Sequence, residues 1–491
     1  MKRIFWHLIA ASTAGIGLRL FFILKFPANS GDTILYEQMA TNWLKHGMYA
    51  MEVNGAIQPV DLRMPGYPAY LALVYWLSGK TGEAAHLWVM LGQAVVDVAS
   101  CVFVAWLAGL LLVLGDKQAR QKPVLITAMW LAALCPFTAN YTAVALTESF
   151  AVALTATALV LLVGLCGSAQ DLLSQAKRQL WEPKNDFRHW AAPFGFVVGV
   201  GTLFRPETPL LLLAAWIGTA FPLVRRRRTA SWIRIVAYSG LACVLPLVPW
   251  AVRNAVTLHE VQFLAPKNSN LPGELVPSGF MAWEKTWLFR MKDCYLAPWK
   301  LNGEAIDAEQ LPARAFDTLD EKQRVTMILE RYNDELTLTK EEDAAFAQLA
   351  RERTARYPFR TYARLPLFRA VTLWFAPRIE LLPVSGTVFP LRQSWEDDKV
   401  DQSVTVGFFL LNIFYLAIAV WGAVKLWRWS AASRSAVLVI VLFVVLRTAF
   451  LTTLETPEPR YVLECFPALL ALGAVALAGR TYDAGVAAPG G

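Results

Sequence analysis

Roughly ten apolar stretches divide this chain, each near the length of about 20 residues that a helix needs to cross the hydrocarbon core of a bilayer. They read as spans at about 4–26, 85–114, 122–138, 143–166, 190–204, 207–224, 231–252, 404–427, 435–453 and 460–479. Hydrophobic residues are 56 % of the 491, and charged ones only 17 %. The expected fold is therefore an all-α polytopic membrane protein. The first run, Ile4 to Phe26, is longer than the apolar core of a signal peptide and is interrupted by Arg19, so it reads as a retained span.

A net charge of +8 invites a nucleic-acid partner, but the distribution of the charge argues against one. The basic clusters are Lys2-Arg3, Lys117 to Lys122, Lys177-Arg178 with Lys184 and Arg188, Arg225 to Arg228, Lys425 with Arg428 and Arg434, and Arg480. Each caps a span, and counting spans puts all of them on one side, as the positive-inside rule requires of cytoplasmic loops. Both termini are then expected in the cytoplasm. Six cysteines and five histidines show no disulfide framework and no metal-ligand spacing, so no metal or other cofactor is expected.

Two segments on the opposite side are long enough to fold. In the first outer loop, 27–84, Asp32 to His46 reads as a helix closed by Gly47, with apolar residues at helical spacing that suit a helix lying in the interface. Pro65 to Ser78 is apolar but too short to span, and reads as a second interfacial helix. The second outer segment carries Thr318-Leu-Asp-Glu321 and Thr339-Lys-Glu-Glu342, both of which fit a capping box ahead of a helix, and Pro358 ends the second of these helices. From Arg360 to Pro377, arginines alternate with Leu, Phe and Trp, a pattern suited to headgroups. The expected organisation is a membrane module over 1–255, a loop domain over 256–403, C-terminal spans over 404–480 and a tail over 481–491.

Charges cost several kcal/mol inside hydrocarbon and gather at helix ends or watery cavities. Asp32, Arg63, Glu148, Arg205, Arg253 and Arg460 all fall at outer helix ends of different segments, which points to one assembled polar site. Each also has a plainer reading. Asp32 can cap its helix, Glu148 can answer the dipole of the helix it opens, and a single arginine at a helix end can snorkel. Arg19 and Asp97 differ, because both lie well inside spans at similar depth, and they are expected to pair.

Taken in order, these outer-face motifs resemble the GT-C superfamily of membrane glycosyltransferases, in particular bacterial members related to protein O-mannosyltransferases and the lipid A aminoarabinose transferase. The matching pieces are Gly31-Asp32 with Tyr36 and Gly47, Arg63-Met-Pro-Gly-Tyr-Pro68, Thr147-Glu148, Arg205-Pro206, Pro249-Trp250 with Arg253-Asn254, and Arg460-Tyr461 with Pro467. The resemblance implies a GT-C-like bundle of about ten or more transmembrane helices, with interfacial helices in the first outer loop and a larger, partly helical second outer loop. It also implies an inverting enzyme of the bacterial inner membrane, working at its periplasmic face on a polyprenyl-phosphate-linked sugar donor and a lipid, glycan or protein acceptor. Asp32 and Glu148 would be the catalytic pair. Arg63, Arg205, Arg253, Arg460 and Tyr461, with Tyr36 and Glu37, would bind substrate. The chain departs from many relatives in having Thr33 where a second acid follows the first aspartate, and it shows no counterpart of the metal ligands of some members. The segment from Leu258 to Pro358 has no clear match.

A transporter or flippase of lipid-linked substrates is the rival reading, since it too could line a cavity with charge. Against it, no internal repeat is evident, and the polar residues lie on one side rather than near the midplane where transporter sites form.

Overall fold

A computed structural model of the chain describes residues 2–117, 121–175, 188–266, 268, 270, 271 and 273–478. Lys177-Arg178, Lys184, Arg480 and the tail 481–491 lie outside the described residues. The chain forms two compact units, one of residues 1–269, 379–445 and 463–491, the other of 270–378 with 446–462. The second unit is thus smaller than the expected loop domain at 256–403, and it also takes in a segment beyond it.

Among the described residues, eight helices are long and apolar enough to cross a membrane. The two further expected spans, 190–204 and 207–224, are a helix described from Arg188 to Thr202 and a shorter helix of 16 residues, Leu210–Arg225. Arg205-Pro206-Glu207 parts them, because proline brings no N–H to a helix and disfavours helical backbone in the residue before it.

The first unit is built mainly from α1 (Lys2–Lys25), α4 (His86–Leu114), α5 (Gln121–Ala133), α6 (Pro136–Asn140), α7 (Glu148–Gln175), α8 (Arg188–Thr202), α9 (Leu210–Arg225), α10 (Thr229–Val244), α11 (Val248–Thr257), α17 (Lys399–Trp429), the first part of α18 (Ala431–Leu451) and α19 (Phe466–Ala478). The expected pair within it is present. Arg19 Nε and Nη2 both donate to Asp97 Oδ2, at 2.9 and 2.6 Å, and both side chains are fully buried. Arg19 also donates to the carbonyls of Gly15, Ala132 and Ala133, so α1, α4 and α5 are tied together at one depth. A charge held this way is compensated by its ion pair and its hydrogen bonds together, as burial demands.

The first loop folds as α2 (Gly31–His46), a hairpin of β1 (Ala50–Val53) and β2 (Ala56–Pro59), and α3 (Gly66–Ser78). Ser30, not Asp32, is the N-cap of α2, and Thr33 Oγ1 accepts from the Ser30 amide at 3.3 Å. Gly47 closes the helix at φ 65°, a left-handed position that glycine adopts without a Cβ penalty. Both expected helices are present. The hairpin was not expected, although Asn54-Gly55 turns it at φ 53° and 76°, the type I′ geometry that this dipeptide favours.

In the second unit, α12 (Ser278–Glu284), α13 (Leu319–Glu335) and α14 (Lys340–Arg356) enclose a core of Phe280, Trp283, Trp287, Val325, Leu329 and Phe346, while α15 (Leu365–Phe375) packs Leu373 with Leu451 and Val462. Thr318 and Thr339 cap α13 and α14 as their motifs predict, accepting from the amides of Glu321 and Glu342. The N-terminal amides of α12 take a different cap. Asp343 Oδ1, from α14, accepts from Gly279 and Phe280 at 2.8 and 2.9 Å.

Candidate functional site

Four segments of the first unit meet at one end of its helices. The chain leaving α1 pairs with the chain entering α7, where the Ala28 amide donates to Ala143 at 2.9 Å and Thr33 Oγ1 donates to Ala145 at 3.1 Å. The loop before α3 docks on the end of α8, with the Gly66 amide 2.7 Å from the Leu203 carbonyl. A Cβ on Gly66 would stand only 2.6 Å from that carbonyl oxygen, so only glycine allows the approach. Tyr67 continues the contact. Its hydroxyl donates to Gln93 Oε1 at 2.6 Å, and the Gln93 amide donates to the carbonyls of Thr142 and Val144. Phe150 stacks on Phe204 at 4.9 Å, fixing the start of α7 against the end of α8.

This packing gathers the charges. Arg63 Nη2 donates to Asp32 Oδ1 at 2.8 Å, and Arg205 Nη2 donates to Glu148 Oε1 at 2.7 Å. Asp32 lies in the first turn of α2, and Glu148 is the first residue of α7, where the helix dipole favours a carboxylate. The pairs differ in access, since Asp32 and Arg63 are each about a quarter exposed and Glu148 only 3 %. Tyr36 is buried on α2, with its ring 5.0 Å from that of Tyr67. Burial and then Asp32 push the Tyr36 phenol up to about 12; Arg63 and Arg205 act against this, and Glu148 with it. One buried hydroxyl therefore lies within electrostatic reach of all four charged groups.

Two expected members are used differently. Arg253 donates to the carbonyls of Val60 at 2.8 Å and Tyr49 at 2.6 Å, and to Asn254 Oδ1 at 2.9 Å, while its guanidinium lies over the rings of Tyr49 and Trp250. It anchors the ends of the first-loop hairpin to α11. Glu37 is engaged by other partners, with Oε1 2.5 Å from His86 Nε2 and 3.3 Å from the Tyr75 hydroxyl. Arg460 and Tyr461 belong to the second unit. There Arg460 Nε and the Tyr461 hydroxyl each donate to Glu458 at 2.6 Å, and the guanidinium lies 5.2 Å from the tyrosine ring centre.

No family model matches the chain, and no characterised protein matches it in sequence. Among solved structures it is similar to the oligosaccharyltransferase of Archaeoglobus fulgidus tethered with an acceptor peptide containing the NVT sequon, at 12 % identity and a TM-score of 0.48 over 96 % of this chain and 49 % of that one. It is also similar to ArnT from Cupriavidus metallidurans bound to undecaprenyl phosphate, at 13 % identity and a TM-score of 0.38 over 96 % of this chain and 77 % of that one. The chain spans about half the length of the oligosaccharyltransferase.

The site also holds acids that the motif reading passed over. Arg205 Nη1 is 3.7 Å from Glu207 and its Nε is 3.8 Å from Glu464, so three carboxylates converge on one guanidinium. Glu464 is 4 % exposed inside the last span, and a carboxylate at that depth was a usable signal. Among the described residues, no group of three or more His, Cys, Asp or Glu is arranged to hold a metal ion.

Proposed function

We propose that the chain is an inverting membrane glycosyltransferase that moves a sugar from a polyprenyl-phosphate-type donor to an acceptor hydroxyl, with Asp32 as general base. What supports this reading is a partly open carboxylate held by a guanidinium, Asp32–Arg63, beside a buried second pair, Glu148–Arg205. Asp32 takes the proton of the acceptor hydroxyl, and the oxygen attacks the anomeric carbon. The bond from that carbon to the phosphate oxygen breaks, and the electron pair leaves with the lipid phosphate. A guanidinium suits that developing charge, because it can donate two parallel hydrogen bonds to phosphate. Arg63 is 25 % exposed and is the better placed of the two arginines to meet it. A phosphate that draws Arg63 away from Asp32 would also release the carboxylate to act as base, which couples donor binding to base activation. Glu148 holds the Arg205 guanidinium in place. The single displacement, and with it inversion, is what the motif resemblance implies. The donor chemistry and the bacterial inner-membrane setting rest on the motif resemblance, on ArnT having been solved with undecaprenyl phosphate, and on a donor whose tail stays in lipid while its head reaches a site at helix ends.

The test is reconstitution. The full chain in liposomes is given polyprenyl-phosphate-linked sugars and candidate acceptors, and release of polyprenyl phosphate is followed together with acceptor glycosylation. Acceptor-dependent release by the native chain, absent from Asp32→Asn, is the expected result. Movement of intact donor between leaflets without release would instead identify a flippase.

A further inference from the structure

The Arg225 to Arg228 turn is not used by the proposed reaction. It lies at the far end of α9 from Arg205, and it closes an apolar groove. Leu213, Trp216, Ile217, Phe221 and Val224 of α9, with Trp232 of α10, line a cleft of about 680 Å³, and Arg225 stands at its end. That volume is within the roughly 300–1,000 Å³ of small-ligand clefts. The indole N–H groups do not need a ligand. Trp232 Nε1 donates to the Trp216 carbonyl, and Trp216 Nε1 donates to Ser239 Oγ, both at 3.0 Å, so both rings offer apolar walls.

We propose that this groove is a binding site for an anionic phospholipid, with an acyl chain along α9 and the phosphate at the arginine turn. Two observations carry this beyond a basic loop that sets topology. The first is length. α9 has 16 residues and so extends about 24 Å, short of the ~30 Å hydrocarbon core, which draws the turn at its end toward the lipid phosphates. The second is backbone geometry. The Arg227 and Arg228 amides donate back to Val224 and Leu223, each at 2.9 Å, in a Schellman closure whose left-handed position is normally glycine. Arg227 holds that position at φ 58°. A strained residue kept where glycine would be easier points to a use for its side chain. With Arg225 at the groove end and Arg226 and Arg227 exposed, the charge matches a phosphate, and the lining matches a fatty-acyl chain.

The experiment is native mass spectrometry of the full chain in neutral detergent, incubated with equal amounts of phosphatidylglycerol and phosphatidylcholine. Preferential retention of phosphatidylglycerol is expected, falling about fivefold for each arginine lost in Arg225→Gln and Arg228→Gln. Ala220→Phe, which fills the groove with the arginines intact, should abolish the preference, and Ala220→Leu makes the same test if the larger side chain prevents folding. Arg227→Gly should lower retention while leaving the melting temperature equal or higher, which separates binding from stability. Equal retention of the two lipids would overturn the proposal, as would a preference that survives groove filling, displacement by inorganic phosphate alone, or a co-purifying polypeptide in place of lipid.

Discussion

Arg63 donates to Asp32 across 31 residues of sequence, and this bond joins the loop before α3 to the first turn of α2. The pair is about a quarter exposed, open enough for a ligand to compete for either partner. If the two act as a unit in transfer, their losses overlap. Asp32→Asn is expected to lower kcat by about 10²–10⁴-fold, the usual worth of a positioned general base, while the donor still raises the melting temperature. Arg63→Gln should weaken that donor-induced shift. The double variant should lose little more than Asp32→Asn alone, because groups acting together are strongly non-additive. Fully additive losses in kcat/KM would remove Arg63 from the mechanism.

Gly66 governs whether that pair can form. Its amide bonds to Leu203 and its missing side chain lets the loop sit against Phe204, three residues from Arg63. Gly66→Ala puts a methyl into a backbone carbonyl, and overpacking of this kind costs about 1–3 kcal/mol. The expected outcome is a sharp fall in transfer with the chain still inserted and helical by circular dichroism. Wild-type activity in this variant would show that the docking of the loop does not set the site.

Much of this arrangement was legible in the sequence, for physical reasons. Gly47 marked the end of α2, Thr318 and Thr339 marked two helix starts, and Arg19 and Asp97 at matching depth had no partner to choose but each other. That charge would sit at helix ends was legible because charge is expelled from hydrocarbon. What each guanidinium touches was not. Arg253 and Arg63 look alike in sequence, yet one is taken up by the carbonyls of Tyr49 and Val60 and the other by Asp32. The difference depends on the hairpin at Ala50–Pro59, and its Asn54-Gly55 turn signal was present but went unread. The second unit gathers 270–378 with 446–462, and no local pattern announces contacts between segments that distant.

Arg205 and Glu148 carry a second prediction about the site. Arg205 is the cation on which Glu148, Glu207 and Glu464 converge, so removing it brings three acids together, whereas Glu148→Gln keeps an acceptor for its guanidinium. Arg205→Met should therefore lower the melting temperature more than Glu148→Gln. Breaking a buried pair from one side typically costs about 3–5 kcal/mol. Thermal unfolding of the two variants in one detergent decides it, and an equal loss would mean that Glu148 is Arg205's only energetically important partner.

The Arg19–Asp97 pair should respond to a double-mutant cycle. Ala at either position leaves a buried charge with its ion-pair partner gone, while Ala at both removes the charges and leaves a cavity. Each single change is expected to lower the melting temperature more than the double change. Simple addition would mean that the two side chains contribute independently.

The last prediction concerns pH and the second unit. Glu284 is 2 % exposed, and its Oε1 has no hydrogen-bond partner. Burial pushes its carboxyl well above the usual carboxylate range; Glu455 pushes the same way, and Arg369 and Lys285 act against both. The neighbouring cations are already engaged. Lys285 pairs with Glu455 at 2.7 Å, and Arg369 donates to the carbonyls of Leu288, Lys285 and Thr452. The sign follows from linkage. In the unfolded chain this carboxyl ionises near the ordinary value of about 4.3, but in the folded chain it stays protonated to a higher pH. Below that ordinary value both states hold the proton and the group exacts no penalty. As pH rises toward the folded value, the unfolded state gains by ionising and the fold loses stability. Glu284→Gln keeps a neutral side chain of the same shape at every pH. Its melting temperature should match the native chain near pH 4.5 and exceed it by a few degrees near pH 8. A gap that stays constant between those two values would show that Glu284 is not held protonated in the fold.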